Sequence, residues 1–486
     1  MSTGFFEGGK MSAEKKMSRR DLLKLAGAGS AGLVMSGLPV KVIAQDKVKI
    51  KVQTAGLDDN TLQPVADIMV ARHPNVEVEW VVLTGIDHEE VAAKILALVA
   101  AGETIDVGYA ATEATQLFAG QGLAAPLDDL IINDPDQDFW TDFFSDVHPS
   151  LVEAMMYEGS LYEPPRDFNA ANMYLNTSVL AENGFEVPPQ DWTKDDFVEI
   201  ARGTTKKDDT GNTDVFGFAW TNRLWGSWMP WIFVAGGNLY TEERAPGGEW
   251  CWDGYYNGDP AADGRGGGFR WREPIANSSE VQEALELVVG LWEEGVTPDV
   301  EMGSGQTLTG FYASGKLCMM PAGGFLAGRL GNEGMAKGDF DVQLWPAWRN
   351  QKHQFGTGGH WLATVSTAPD EAWEFMKIEV SHEGFQSSEF FNPVIITTPS
   401  RRSYSQKDAF ETTGPANSDI FYGTLDDHPS TSPIPAPPWS NPMTTIFTTA
   451  TSNAMSGAMS PKDALDQMQS ELEDLTARQP QYYADN

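Results

Sequence analysis

From Val48 onward the chain alternates short β-branched runs with longer stretches of helical spacing, and few topologies accommodate that order. Val48 to Thr54 reads as a strand, Leu62 to Arg72 as a helix and Val76 to Leu83 as a second strand. Glu89 to Ala101 follows as a helix with Val91, Ile95, Leu98 and Val99 on one face, and Ile105 to Tyr109 as a third strand. Parallel strands need a crossover between them, and the intervening helices supply it. The order therefore predicts a mostly parallel α/β sheet covered on both faces. Ligands of such sheets lie at the carboxyl ends of the strands.

Charge narrows the partners. The 486 residues carry 69 Asp+Glu against 33 Lys+Arg, a net charge of -36. A field of that sign repels DNA, RNA and anionic lipid, so no nucleic-acid partner is expected. Two cysteines, Cys251 and Cys318, have no metal-site spacing; they allow at most one disulfide, with two free thiols the slightly favoured reading. The seven histidines are scattered, and neither a zinc-protease motif nor a nucleophile elbow occurs. The sequence thus calls for no metal, no cofactor and no catalytic residue.

Residues 1–45 stand apart. They hold seven Lys/Arg and three Asp/Glu, net +4, which leaves -40 on the remainder. Basic residues up to Arg20 precede a weakly apolar stretch from Leu22 to Leu38, and Val42-Ile43-Ala44 offers small residues for cleavage. Ser18-Arg19-Arg20-Asp21-Leu22-Leu23-Lys24 resembles a twin-arginine export signal, which implies a periplasmic or extracellular location. The formal G-x-G-x-x-G from Gly27 to Gly32 follows no strand and is not read as a nucleotide site. No run of about twenty apolar residues appears after residue 45.

Further along, Asn172 to Asn176, Lys316 to Met320, Phe340 to Leu344 and Leu362 to Val365 read as strands. Glu280 to Glu294 and Asp370 to Val380 read as helices, and Thr193 with Asp196 as a capping box. Arg244 to Glu273 mixes Pro, Gly, Asp and aromatics without period and reads as a long ordered insertion. Asp426 to Pro442 reads as irregular, and Ser460 caps a last helix that buries Leu465, Met468, Leu472 and Leu475.

Several runs, in order, resemble the sugar-binding extracellular solute-binding proteins of ABC importers, the family that includes maltose-binding protein. They are Gly159-Ser160-Leu161-Tyr162-Glu163-Pro164-Pro165, then Tyr174-Leu175-Asn176 with Asn183-Gly184-Phe185 and Pro188-Pro189-Gln190-Asp191-Trp192. Phe311 to Met320 follows, with Gly323-Gly324-Phe325 after it, and Gly358 to Ala363 leads to Glu371-Ala372-Trp373-Glu374-Phe375-Met376-Lys377. The resemblance implies a two-lobe, type II-like periplasmic-binding-protein fold, each lobe a mostly parallel sheet flanked by helices. Residues 46–165 and 350–382 would form lobe one. Residues 166–349 and 383–475, with the insertion 244–273, would form lobe two, and 476–486 a C-terminal tail. It further implies a monomer that captures a sugar or oligosaccharide between closing lobes and hands it to the permease subunits of the transporter. A secreted glycoside hydrolase or a passive carbohydrate-binding surface protein is the alternative reading.

Sugars offer C–H faces for aromatic stacking and hydroxyls for charged or amide partners. By position, Asp58, Asp87 and Glu113 follow the first three strands, and Asp167 and Asn169 follow the first crossover. Trp225, Trp228 and Phe325 are the candidate stacking rings of lobe two, while Trp220 reads as core. His360 and Trp361 follow Gly358-Gly359, and Arg401 or Arg402 could reach the cleft.

The acidic excess also carries a stability consequence. Salt of about 1 M shortens the Debye length to about 3 Å and screens carboxylate repulsion in the compact state. The denaturant midpoint at neutral pH should rise as KCl goes from about 0.1 M to about 3 M. A midpoint flat in KCl would remove the reading of the composition as an adaptation to a saline exterior.

Overall fold

A computed structural model describes residues 47–54, 59–85, 88–299, 306–388, 397–405 and 414–483. The export segment, Asp58 and Asp87 lie outside the described residues. Two sheets organise the rest. The first runs Thr398–Pro399, Asp167–Ala170, Phe355–Leu362, Val107–Ala111, Val48–Thr54, Val76–Val82. Val48–Thr54 pairs in parallel with Val76–Val82 and with Val107, as the alternating pattern requires. The second sheet runs Phe340–Gln343, Asn172–Asn176, Leu317–Ala322, Thr213–Phe218, Lys206–Lys207.

The α/β class and the two-lobe arrangement hold, but parallel pairing is less general than expected. In the second sheet only Leu317–Ala322 and Thr213–Phe218 run parallel. In the first, Phe355–Leu362 enters antiparallel to both of its neighbours. The cause is the path of the chain: strands arriving from the other sheet need no helical crossover and so run in the opposite sense.

The lobe boundaries shift accordingly. Asp167–Ala170 and Thr398–Pro399, expected in lobe two, pair within the first sheet. The first passage between sheets is a single residue, Ala171, which separates Asp167–Ala170 from Asn172–Asn176. Its amide donates to the Gln354 carbonyl at 2.8 Å, on the second passage. Gln354 in turn forms a bridge with Ser432, on a third stretch, so the crossing segments lie side by side.

Residues 244–273 are not a loose insertion. Tyr240–Arg244 and Phe269–Pro274 form an antiparallel pair, with helix Glu249–Tyr255 between them. The segment is fastened to the helix Pro149–Ala154, which packs on the first sheet. Fully buried Glu153 accepts from Arg244 Nε at 2.8 Å, Arg265 Nη1 at 2.8 Å and the Gly266 amide at 2.9 Å. A Cβ on Gly267 would stand 2.4 Å from the Gly159 Cα, so only glycine permits this backbone approach. At the other end Glu242 accepts from Lys352 at 2.8 Å and Ser432 at 2.9 Å, beside the crossing segments. The segment's aromatics help pin it, as their number suggested: Tyr255 packs on Phe144 at 4.6 Å and Tyr256 at 5.8 Å, alongside the charge and backbone contacts.

Two further differences have local causes. Ser440–Met455 is a helix whose Met443, Phe447, Ala450 and Ala454 are buried, although the Pro-rich run before it suggested irregular chain. Residues 476–486 are not simply a tail, since Tyr483 is buried and its hydroxyl donates to Gln116. Cys251 and Cys318 are free and buried, and burial pushes the Cys318 thiol up to about 12. No helix among the described residues is long and apolar enough to cross a membrane.

Glu153 supplies the prediction here. Glu153→Ala leaves Arg244 and Arg265 without their shared counter-charge, and removing one partner of a buried pair costs about 3–5 kcal/mol. The variant's urea midpoint measures this, and a loss under about 1 kcal/mol would mean that the segment is anchored elsewhere.

Candidate functional site

The parallel pair of the second sheet, Thr213–Phe218 and Leu317–Ala322, ends at a small, partly open pocket. Trp220, Thr221, Arg223, Trp225, Phe325 and Arg329 are among its walls. After the first strand the chain makes a tight turn in which Gly226 takes φ 69°. The Gly226 amide donates to the Gln354 side-chain oxygen at 2.6 Å, so the crossing segment fixes the turn that carries Trp225. After the second strand, Gly323-Gly324 leads into helix Phe325–Asn332. The rings of Trp225 and Phe325 stand 6.0 Å apart, inclined at 42°. Arg223 lies over Trp225 at 5.0 Å and Arg329 over Phe325 at 5.2 Å.

The first sheet packs against the turn that carries Trp225. A Cβ on Gly356 would stand 2.5 Å from Trp225 Nε1 and 3.3 Å from the Thr112 hydroxyl, and Glu113 is the next residue after Thr112. A Cβ on Gly323 would stand 2.6 Å from that of Asn169, so the second-sheet backbone packs this closely on the first because Gly323 and Gly356 carry no side chain. Asn169 donates to Thr397 at 3.1 Å. Its own side-chain oxygen and the hydroxyl of Thr398 are buried without a hydrogen-bond partner among the described residues. Glu113 is buried and accepts from the Thr112 hydroxyl at 3.2 Å.

The expected site residues therefore divide. Trp225 and Phe325 line the pocket, Asn169 packs against Gly323 beside it, and Glu113 is not among the lining residues. Trp228 is placed behind the wall: its indole donates to Asn222 at 2.8 Å and its ring packs on Trp220 at 4.3 Å. Trp220, read as core from sequence, is the one that reaches the pocket. Trp361 packs on Phe118 at 5.1 Å in the core of the first lobe. Arg401 is fully buried and pairs with Asp142 at 2.9 Å, and Arg402 pairs with Asp426.

Asp167 and His360 join a buried charge network instead. Arg166 contacts Asp167 at 2.7 Å and Glu379 at 3.1 Å, and lies over the Tyr109 ring at 4.7 Å. Glu379 meets His360 Nδ1 at 2.7 Å, and the other ring nitrogen faces the Gln53 carbonyl at 3.3 Å. Both ring nitrogens thus face oxygen atoms of the first lobe. Burial alone would raise the Glu379 carboxyl, but His360 and Arg166 outweigh it and hold the group below the ordinary range. Burial and the Asp167 charge push the Tyr109 hydroxyl up, so it stays protonated. The network clamps the strand Asp167–Ala170, and hence Asn169, to the first lobe.

Sequence reasoning missed Arg223 and Arg329. The available signal was local: an arginine two residues before Trp225-Gly226, and another one helical turn beyond Phe325.

The family model for bacterial extracellular solute-binding proteins matches residues 66–415. The chain belongs to that family. Solved structures of the same fold include an ABC substrate-binding protein from Listeria monocytogenes in complex with cycloalternan. It is 18% identical, with TM-score 0.70, over 89% of this chain and 100% of that one. Maltose-bound MalE3 of T. maritima is 18% identical with TM-score 0.67, over 88% of this chain and 100% of its own. A D-mannitol-bound ABC transporter solute-binding protein from Agrobacterium vitis S4 is 18% identical with TM-score 0.67, over 88% and 98%. In a solute-binding fold the pocket at Trp225 and Phe325 occupies the position that the strand-end rule assigns to ligand.

The network sets an acid limit. A carboxyl depressed in the folded state stabilises above its unfolded value, near 4.5, and that contribution is lost as pH falls through the folded value. Glu379→Gln should cost about 3–5 kcal/mol at neutral pH and flatten the decline of stability below about pH 5. Urea midpoints of both proteins from neutral to acid pH check this; equal acid slopes would exclude Glu379 from the linkage.

Proposed function

We propose that the chain is the exported substrate-binding component of an ABC importer. It leaves the cytoplasm by the twin-arginine route, captures a sugar or polyol between its two lobes and presents the closed form to permease subunits. The carrying observation is the pocket itself. Two inclined rings stand at the ends of parallel strands, and buried, unpartnered oxygens of Asn169 and Thr398 lie against the glycine turn that leads to Phe325. Rings suit the C–H faces of a sugar, and the free acceptors suit its hydroxyls. Family membership and the sugars and polyol bound by the similar structures support the same reading. A ligand that engages both sheets stabilises the closed arrangement by its differential affinity for it.

The test starts with thermal shift against a panel of sugars and polyols, since a ligand specific to the folded state raises its melting temperature. Calorimetry of the best ligand then compares the native chain with Trp225→Ala and Phe325→Ala. Each ring should be worth about 1–3 kcal/mol of affinity. Binding that both folded variants retain within about threefold would show that the rings are not the platform.

A further inference from the structure

The pocket carries a charge pattern opposite to that of the whole chain. Among the described residues, ten of thirteen arginines sit within 4 Å of a carboxylate, as expected where acids outnumber bases two to one. The other three are Arg223, Arg329 and Arg478. Arg478 caps its own helix by donating to the Asp474 carbonyl. Arg223 and Arg329 line the same pocket, and among the described residues none of its lining is Asp or Glu. Arg223 spends its Nε on the Trp225 carbonyl at 2.8 Å, which leaves both terminal NH₂ groups without a partner among the described residues. The Arg329 guanidinium has its face against Phe325 and donates to nothing described.

Two guanidiniums close enough to repel each other are costly to leave unneutralised. Partial enclosure and the Arg223 charge both act against the charged form of Arg329. Any nearby acid would relieve this, and acids are abundant on this chain, yet the pocket lining has none. Stacking alone would not require it, because arginine elsewhere in this protein stacks and pairs at once: Arg244 lies over Phe269 at 4.1 Å while contacting Glu153 at 2.8 Å. Guanidinium is also the donor best matched to planar or tetrahedral oxyanions.

We propose that Arg223 and Arg329 select a sugar bearing an anionic group, a carboxylate, sulfate or phosphate, and that their pairing partner is the ligand itself. This rests on the sugar-binding reading of the same pocket and narrows it. The net negative field would slow approach of such a ligand in dilute salt. At high ionic strength that long-range term is screened to a few ångströms, while a contact pair inside the pocket survives.

Calorimetry at one fixed, high KCl concentration decides the matter. The probes are D-galactose, D-galacturonate, D-galactose 6-sulfate and D-galactose 6-phosphate, with D-glucose and D-glucuronate as a second pair. At least one anionic probe should bind about tenfold or more tightly than its neutral parent, and which one does so identifies the oxyanion. Arg329→Gln and Arg223→Gln should each reduce the ratio of anionic to neutral affinity to within about threefold, whatever each does to binding of the neutral parent. Neutral sugars binding as tightly as their anionic counterparts would overturn this inference and leave the sugar-binding reading standing. A preference that survives both substitutions would overturn the assignment to these arginines. No binding by this set or by the wider sugar panel would overturn both readings.

Discussion

The hydrogen bond from the Ala171 amide to the Gln354 carbonyl joins the two passages between sheets, and much of the molecule depends on it. Gln354 performs three tasks at once. Its carbonyl registers the first passage, its bridge to Ser432 registers the third, and its side chain receives the Gly226 amide that shapes the Trp225 turn. All of this is buried, where an unmade hydrogen bond costs more than a made one contributes. The geometry of the pocket wall is therefore set at the crossing, and the same few residues join the two sheets and orient the ring proposed to meet ligand.

Charge is sorted with the same economy. The buried carboxylates of Glu153, Glu379 and Asp167 are matched to arginine, histidine or backbone donors and serve to fix elements in place. Surface acids hold water. Cations without acids are confined, among pocket residues, to Arg223 and Arg329. These buried pairs fix elements inside the lobes, whereas Arg223 and Arg329 stand in the pocket without a carboxylate partner among the described residues.

The sequence made the local elements legible where one principle dominates. The alternation from Val48 to Val107, the Thr193–Asp196 capping box and the apolar stripe of the last helix all appear where spacing placed them. Site residues adjoining strand ends and glycines, such as Trp225, Phe325 and Asn169, were also legible, because both cues are local. What failed was long-range. Nothing near His360 reveals that Glu379 waits 2.7 Å away, and nothing near Arg401 reveals Asp142. Trp228 missed the pocket because a turn of the chain, not composition, decides which ring faces it, while Trp220 is core as read and also touches the pocket. The strand Asp167–Ala170 changed sheet because one residue, Ala171, suffices for a crossing.

The segment 244–273 gives the crossing a mechanical property that bare connecting strands lack. It is fixed to Glu153 on the first lobe, while Glu242 at its base grips Lys352 and Ser432 at the crossing itself. Two attachment points at different distances from an axis act as a stay: rotation about the axis lengthens the path between them and meets a restoring torque. The lobes therefore do not swing on a free joint. In the lobe closure proposed for this chain, the work of bending this stay enters the open–closed equilibrium, and a cargo's apparent affinity would include it alongside the contacts in the pocket.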